Sequence, residues 1–471
     1  MEGPPDPDVR PRPRRPPVAL TQPMEIERFP VLAADDEPLV ERLAVGLGTA
    51  PARVLAYLLA RRERDDVDDG PVSLLSVRVG TGLNRSAARE ALDALADADL
   101  VAQTTLETEG PGRPPTGWAL PAAPETVERR VSDRQAEALL DRADAFADWR
   151  GDAVEPPDEP ADDGATDALA LRLNWRPNGL QAPVFAALAA DAYAERGLDV
   201  SVGHRRGSEK ALSAVVDGPA DVALVGAATL LRAGDDGAPV VPLALLYQRA
   251  AAVIYTTRAA FDGRLERAEQ LRGRRVGTPV TSEIGLLGRL FLAQAGVADE
   301  TTVVDVSGEE QAALRSGRVD AVTGSLSDPE HLRERGATVD AIPVAERFPI
   351  YGPAFVARRS TLAADRPAMS AFLAATMAGL ADARADPRAA AAAVARAGDR
   401  REPADGASGE ERPASRAGGD SRRRARRTFA DAVETVGRSE AVDAHGWGWH
   451  DPDDWERLAT VLDRVDVPVD A

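Results

Sequence analysis

Two periodicities divide the chain. Between about residue 31 and residue 150, apolar positions recur at helical spacing. Ala88, Ala91, Leu92, Leu95 and Ala96 form one stripe along residues 85–98, three and four apart as a helix face requires. Asn84 stands at the N-cap position of that helix, and Arg85 and Arg89, four apart, share another face. A shorter helix is predicted at 74–79, and Gly80-Thr81-Gly82 makes the turn between the two. Runs of β-forming residues at 100–106 and 116–120 flank a GPGRPP tip. Residues 124–150 read as one long helix opened by Pro124, with Val127, Val131, Ala138, Leu139 and Phe146 on loosely helical spacing. That helix can pair two chains or pack on its own domain; the pattern leaves both open.

From Leu169 the texture changes. The short runs ALALRLNW, LDVSVG, DVALVG, VVPLALLY, RRVGTP and DAVTGS alternate with helical segments up to about residue 398, which predicts α/β architecture. Three stretches break the patterning. Residues 1–30, rich in Pro and Arg, read as a disordered tail, and residues 151–167, acidic and Pro-rich, as a linker. Residues 399–428 read as an inserted disordered loop, after which residues 429–468 are again globular. The run Arg422-Arg423-Arg424-Ala425-Arg426-Arg427 in that loop either adds nucleic-acid affinity or is simply solvated.

Composition narrows the classes. The 471 residues contain no cysteine, which excludes disulfides, thiolate metal sites and cysteine nucleophiles. Net charge is −20, from 57 Lys+Arg against 77 Asp+Glu, and Lys210 is the only lysine. Acidity carried with arginine in place of lysine suits a salt-loaded, halophilic cytoplasm, where screening quenches self-repulsion. No stretch is long and apolar enough to span a membrane, and no secretory signal is recognised at the N-terminus. The sequence therefore predicts a cytoplasmic protein without a membrane partner. No metal or cofactor site is expected, since the four histidines form no ligand spacing and no nucleophile–base pair or phosphate-binding Gly-rich loop is present.

Residues 31–122, helix, tight turn, helix and then two strands around the GRP tip, resemble the winged helix-turn-helix domains of prokaryotic transcriptional regulators. The resemblance implies that the second helix enters the major groove with Arg85 and Arg89, and that Arg113 at the wing tip lies along the backbone or in the minor groove. DNA is then the partner, and a homodimer is one assembly compatible with it. The same segment carries 9 Arg and 15 acids, which opposes phosphate binding at low salt. A winged helix that contacts protein is the alternative.

The segment LRLNWRPNGLQAPVFAALAADAYAERGLDVSVGHRRGSEKALSAVVDGPADVALVGAATLL resembles the first lobe of solute-binding proteins of ABC transporters. The resemblance continues through AEQLRGRRVGTPVTSEIGLLGRLFLAQAGV and EEQAALRSGRVDAVTGS to HGWGWHDPDDWERLATVL. The subgroup is the one shared by alkanesulfonate receptors, thiamine-pyrimidine-precursor receptors and the fungal-type pyrimidine synthase. It implies a two-lobed type II periplasmic-binding-protein-like α/β domain at 168–398 and 429–468, its second lobe about 259–342, with residues 123–150 as a connecting helix.

Chemistry suggests who lines the cleft. Trp175 can stack on a flat ring while Asn174 and Asn178 read its edge. Thr281 and Ser282, at a strand-to-helix junction, can cradle a phosphate or carboxylate. Glu283 or Asp320 can accept from an exocyclic amine, and Tyr247 and Tyr351 can touch the ring. Taken without the resemblance, Trp175 is a core residue, Thr281, Ser282 and Glu283 are a helix cap, and Asp320 caps the next element. Gln181 stands where the synthase would carry its consumed histidine, so with no cysteine anywhere the expectation is a binding protein and not an enzyme. The resulting reading is a one-component regulator sensing a thiamine-related pyrimidine, hydroxymethylpyrimidine or its phosphate. A synthase-like enzyme and a cytoplasmic binding module are the rivals.

Overall fold

The N-terminal unit is built on helices α1 (Glu37–Leu47), α2 (Thr49–Arg62), α3 (Leu74–Thr81) and α4 (Arg85–Asp97) and strands β1 (Val72–Ser73), β2 (Ala102–Thr105) and β3 (Thr116–Ala119). The structure, a computed structural model, describes residues 31–62, 64, 70–106, 114–151, 167–280, 282–346, 350–399 and 414–464. The expected tail, most of the linker, Arg113, Thr281 and residues 400–413 lie outside the described residues. The three strands pair antiparallel in the order β1-β3-β2. The periodicity of 85–98 is realised: Ala88, Ala91, Leu92 and Leu95 are buried with Leu55, Leu59, Leu100 and Trp118. Asn84 Oδ1 accepts from Ala87 N–H at 2.9 Å as the N-cap.

Helix α5 (Pro124–Arg150) answers one open question. Its first turns bury Val127 and Val131 in the N-terminal core. Its remaining length buries Ala136, Leu139, Leu140, Ala143, Phe146 and Ala147 in the core of the next unit. The apolar stripe is thus covered within the chain, along two different cores. Polar ties reinforce the second half. Arg366 Nε, Nη2 and Nη1 reach Glu137, Asp141 and Asp144 at 3.1, 2.5 and 2.8 Å, and Arg196 pairs with Asp133.

Two five-stranded sheets follow. The first comprises β4 (Asp167–Leu173), β5 (Leu198–His204), β6 (Val222–Val225), β7 (Val240–Leu245) and β13 (Ala354–Arg358), in the order β5-β4-β6-β13-β7. The second comprises β8 (Ala252–Thr257), β9 (Arg275–Thr278), β10 (Thr302–Asp305), β11 (Ala321–Ser325) and β12 (Val339–Pro343), in the order β10-β9-β11-β8-β12. In each, four strands run in one direction and the fifth, arriving from the other lobe, lies antiparallel between two of them. β6 and β7 are buried along their whole length, as strands covered on both faces are.

Lobe 1 carries α6 (Ala182–Ala189), α7 (Ser208–Val216) and α8 (Ala227–Asp235). Lobe 2 carries α9 (Arg258–Phe261), α10 (Glu283–Gln294), α11 (Glu310–Arg315) and α12 (Asp328–Arg333). The chain then returns through α13 (Arg359–Ala364), α14 (Arg366–Ala385), α15 (Pro387–Asp399), α16 (Ala414–Thr435), α17 (Glu440–His445) and α18 (Pro452–Arg464). The lobes are joined by two crossings, one at 246–251 and one described at 344–346 and 350–353, which hydrogen-bond to each other through Leu246 N–H to Pro353 O (2.8 Å) and Ala250 N–H to Ile350 O (2.9 Å). Lobe 2 starts at Ala252, before the expected boundary at 259, because AVIYTT supplies its antiparallel strand β8.

The expected disordered loop at 399–428 is corrected where it is described: α16 is helical from Ala414. Ala425, Thr428 and Phe429 are buried, and a Cβ at Gly179 would lie 2.1 Å from Ala425 O, so α16 lies directly on the first-lobe turn. Its outward arginines cross to lobe 2. Arg424 Nε and Nη2 donate to Glu334 Oε2 at 3.1 and 2.5 Å, and Arg427 pairs with Glu330. His450 sits in the core with no exposure. Among the described residues no helix is long and apolar enough to cross a membrane, and no three His, Asp or Glu side chains are grouped as metal ligands.

Candidate ligand cleft

Parallel α/β sheets leave their loop ends at the carboxyl edge of the strands, and a cleft forms where two such edges face each other. In lobe 1 that edge holds Asn174 after β4, the Gly207-Ser208 turn into α7, and Gly226 leading into α8. In lobe 2 it holds Pro279, Val280, Ser282 and Glu283, between β9 and α10. The two edges meet through one side chain. Glu283 Oε2 accepts from Ser208 Oγ at 2.9 Å and from Thr229 Oγ1 at 3.2 Å, and Oε1 accepts from Ala228 N–H at 3.2 Å. Ser208 Oγ in turn accepts from Gly226 N–H (3.1 Å) and Asn174 Nδ2 (3.3 Å). A Cβ at residue 226 would fall 1.7 Å from Glu283 Oε2, so only glycine leaves room for the carboxylate.

Burial drives the Glu283 carboxyl above the usual carboxylate range, against the opposing pull of these hydrogen bonds. Farther along α10, the Arg289 guanidinium donates to Val280 O at 3.1 Å; burial first, then Arg232 on α8, push its pKa down. The interlobe contact thus brings two arginines of like charge towards one another, beside an acid that no cation neutralises among the described ion pairs.

The residues predicted from sequence fall into three groups. Asn174 and Glu283 are brought together as described, and Trp175, one residue beyond Asn174, is 54% exposed. Asn178, Gln181 and Ser282 are spent on local structure. Asn178 Oδ1 accepts from Leu180 N–H (2.9 Å), and Gln181 Oε1 accepts from Asn178 N–H (3.0 Å), closing a capping box. Ser282 Oγ accepts from Gly285 N–H at 3.2 Å as the N-cap of α10. Tyr247, Tyr351 and Asp320 are committed elsewhere. The Tyr247 hydroxyl donates to Leu180 O at 2.9 Å in the core, and that of Tyr351 donates to Asp454 Oδ2 at 2.6 Å. Burial raises both phenols.

Asp320 precedes β11, at the amino edge of the parallel strands and away from the cleft edge. There Arg275 Nη2 donates to it at 2.7 Å and holds its carboxyl below the usual range. Ser208, Ala228 and Thr229 were missed by the sequence reading. The available signal was a Gly or Ala-rich step from strand to helix, RRGSEK and LVGAAT, which marks a helix start and nothing more specific.

On the N-terminal unit, Arg85 and Arg89 are exposed along α4. Arg89 Nε donates to Asp93 Oδ2 at 3.3 Å, and Ser86 Oγ to Glu90 at 2.7 Å. α3 presents an apolar pair outwards, Leu75 at 58% and Val79 at 45% exposure.

Residues 178–390 match the family described as NMT1/THI5 like. The chain is 26% identical over 226 residues to the riboflavin-binding protein RibY of Chloroflexus aurantiacus, covering 46% of this chain and 63% of that protein. It is 26% identical over 173 residues to the formylaminopyrimidine-binding protein of Halalkalibacterium halodurans, covering 36% of this chain and 51% of that protein. The chain therefore spans about half to just under two thirds of these relatives' length. Among solved structures, the periplasmic aliphatic sulphonate binding protein SsuA from Escherichia coli is similar with a TM-score of 0.43 at 19% identity, covering 49% of this chain and 78% of that one. The curated relatives are binding proteins, which supports a ligand-binding role for the two lobes.

Proposed function

We propose that the chain is a one-component transcriptional regulator, in which the two lobes close on a thiamine-related pyrimidine and residues 31–122 act as a winged helix-turn-helix on DNA. The observation that carries the reading is α5, whose first turns belong to the N-terminal core and whose remainder belongs to lobe 1. A ligand that reorients lobe 2 thereby acts against one body comprising lobe 1 and the helix-turn-helix. Closure changes how a pair of such bodies presents its α4 helices to two half-sites. The element order helix, strand, helix, turn, helix, hairpin, with strand order β1-β3-β2, supports the winged-helix assignment.

The pyrimidine is supported by the formylaminopyrimidine-binding relative and by exposed Trp175 as a stacking platform; the riboflavin-binding relative points to the same broad class, flat nitrogen heterocycles. In this reading Asn174, Trp175 and Glu283 meet the ligand, with hydroxymethylpyrimidine or its phosphate as the first candidates. Arg85, Arg89 and Arg113 meet DNA, the protein works as a cytoplasmic homodimer, and it performs no catalysis.

The test is thermal stability in molar KCl with hydroxymethylpyrimidine, its phosphate, thiamine and an alkanesulfonate control, followed by DNA selection with the stabilising ligand. A ligand at 100 times its Kd raises stability by about 2.7 kcal/mol. An Arg85→Ala/Arg89→Ala double variant is expected to keep the ligand response and lose DNA. If none of the pyrimidines shifts the transition, the effector assignment fails. One observation favours a second reading: exposed Leu75 and Val79 on α3, in a unit of net negative charge, suit a protein contact in place of DNA. DNA selection that returns no sequence would turn the assignment that way.

A further inference from the structure

The anion in the cleft belongs to the chain itself. Glu283 leaves lobe 2 at the first residue of α10, and its carboxylate ends in lobe 1. Its partners there are all donors and all uncharged: Ser208 Oγ, Ala228 N–H, and the Oγ1 and N–H of Thr229. Ala228 and Thr229 lie in the first turn of α8, and Ser208 opens α7, so the fields of two nine-residue helices add to the hydrogen bonds. A carboxylate held by neutral donors across a hinge differs from a structural ion pair. It is exchangeable for any group of like shape and charge, because removing it leaves no buried cation behind.

We propose that Glu283 is an internal competitor for the ligand. Its carboxylate latches lobe 2 to lobe 1 and yields only to a ligand whose own anionic group, a phosphate or carboxylate, takes the same donors. The displaced carboxylate then faces the ligand and accepts one of its N–H groups. The ligand class is therefore a small heterocycle with an anionic group at one end and an N–H donor at the other. A molecule lacking the acceptor leaves Ser208, Ala228 and Thr229 with buried, unpaired donors, which is unfavourable. The latch also sets apparent affinity, since ligand binds only the fraction of molecules in which Glu283 has let go. This rests on the cleft being the ligand site and narrows what that site takes.

The absence of cysteine makes the experiment clean, because an introduced pair is the only labelled pair. Asp199→Cys on β5 and Thr302→Cys on β10 put one spin label on each lobe of the full chain, at exposed edge-strand positions. With Glu283 in place, the interlobe distances are expected to form one short population. Glu283→Ala is expected to add a longer one, and to bind inorganic phosphate at least tenfold tighter than the parent chain. Ser208→Ala removes a donor and keeps the carboxylate; it shifts the distances the same way, so a poorly folded Glu283→Ala variant does not decide the matter. An unchanged distance distribution in both variants, or a phosphate affinity indifferent to residue 283, overturns the proposal. Failure of the ligand reading looks different: the distances shift with the variants, yet no pyrimidine stabilises either chain.

Discussion

Gln181 and Asn178 illustrate at the residue scale how a polar side chain in a ligand-like motif can be fully occupied by the backbone around it. Each amide satisfies a donor of the same turn, and Gln181 is buried. Trp175, three residues before Asn178, has the opposite character: more than half of its surface is exposed, which is unusual for so large an apolar side chain. Trp175→Ala is therefore expected to weaken binding of a heteroaromatic ligand by about tenfold, within the range of one ring contact, while moving the melting temperature by no more than about a degree. Isothermal titration and a melting curve on the same sample separate the two effects.

His450 gives a prediction in pH. Its Nδ1 accepts from Trp455 Nε1 at 3.2 Å, and burial pushes its pKa down to about 3. A histidine kept neutral in the fold contributes stability above its unfolded pKa of about 6.5, and loses it as pH falls from there toward 3. The expected slope is about 1.4 kcal/mol per pH unit over that window. Urea titrations at pH 7 and pH 5 measure it, and NMR should find the His450 ring neutral at pH 5.

At the scale of elements, α16 is the clearest case of a segment whose composition misleads. A run of five arginines and one alanine reads as solvated or nucleic-acid-binding, yet the helical period sorts its residues. Ala425 and Thr428 turn to lobe 1, Arg424 and Arg427 turn to Glu334 and Glu330 of lobe 2, and Arg422, Arg423 and Arg426 remain outside. Glu330 is nearly buried, so removing its partner costs more than a surface ion pair would. An Arg424→Ala/Arg427→Ala double variant is expected to widen the interlobe distance distribution, with lobe 1 and the N-terminal unit unaffected by hydrogen exchange. Substitution of Arg422 and Arg423 should do neither.

Helix α5 governs the behaviour of the whole molecule. Because it contributes to two cores, the N-terminal unit and lobe 1 are expected to unfold in one calorimetric transition; lobe 2 has a cluster of its own around Tyr255, Leu314 and Val322 but shares the cluster of lobe 1 through Ile254, Val276 and Phe291, so its transition is expected to lie close to theirs. Leu139→Ala, with Leu139 wholly buried, should cost about 2–5 kcal/mol and lower that shared transition more than the transition of lobe 2. Differential scanning calorimetry distinguishes this from independent domains. The net charge of −20 acts at the same scale: self-repulsion is long-range, so both transitions should rise as KCl is increased to about 1 M, where the Debye length is about 3 Å.

Local rules were enough for much of this. The Asn84 cap, the stripe of α4, the opening of α5 at Pro124 and the strand runs of β4 to β7, β9 and β11 follow from neighbours within a few residues, where periodicity and capping act. Asn174 and Glu283 were picked out by their chemistry, and the fold brings both to Ser208 Oγ. What sequence left open depends on partners far apart along the chain. Strands β8, β10, β12 and β13, of four to six residues, were not picked out as strand runs, and each is placed by the neighbour that supplies its ladder. α5 could have faced a second chain, and only the placement of lobe 1 covers its second half. Glu283 could have been a cap: its role as the bond between lobes needs Ser208 and Thr229, 75 and 54 residues away, brought to it by the folding of two sheets whose carboxyl edges face each other. A side chain announces its chemistry through its type, but what it meets is decided by the topology that closes the distance.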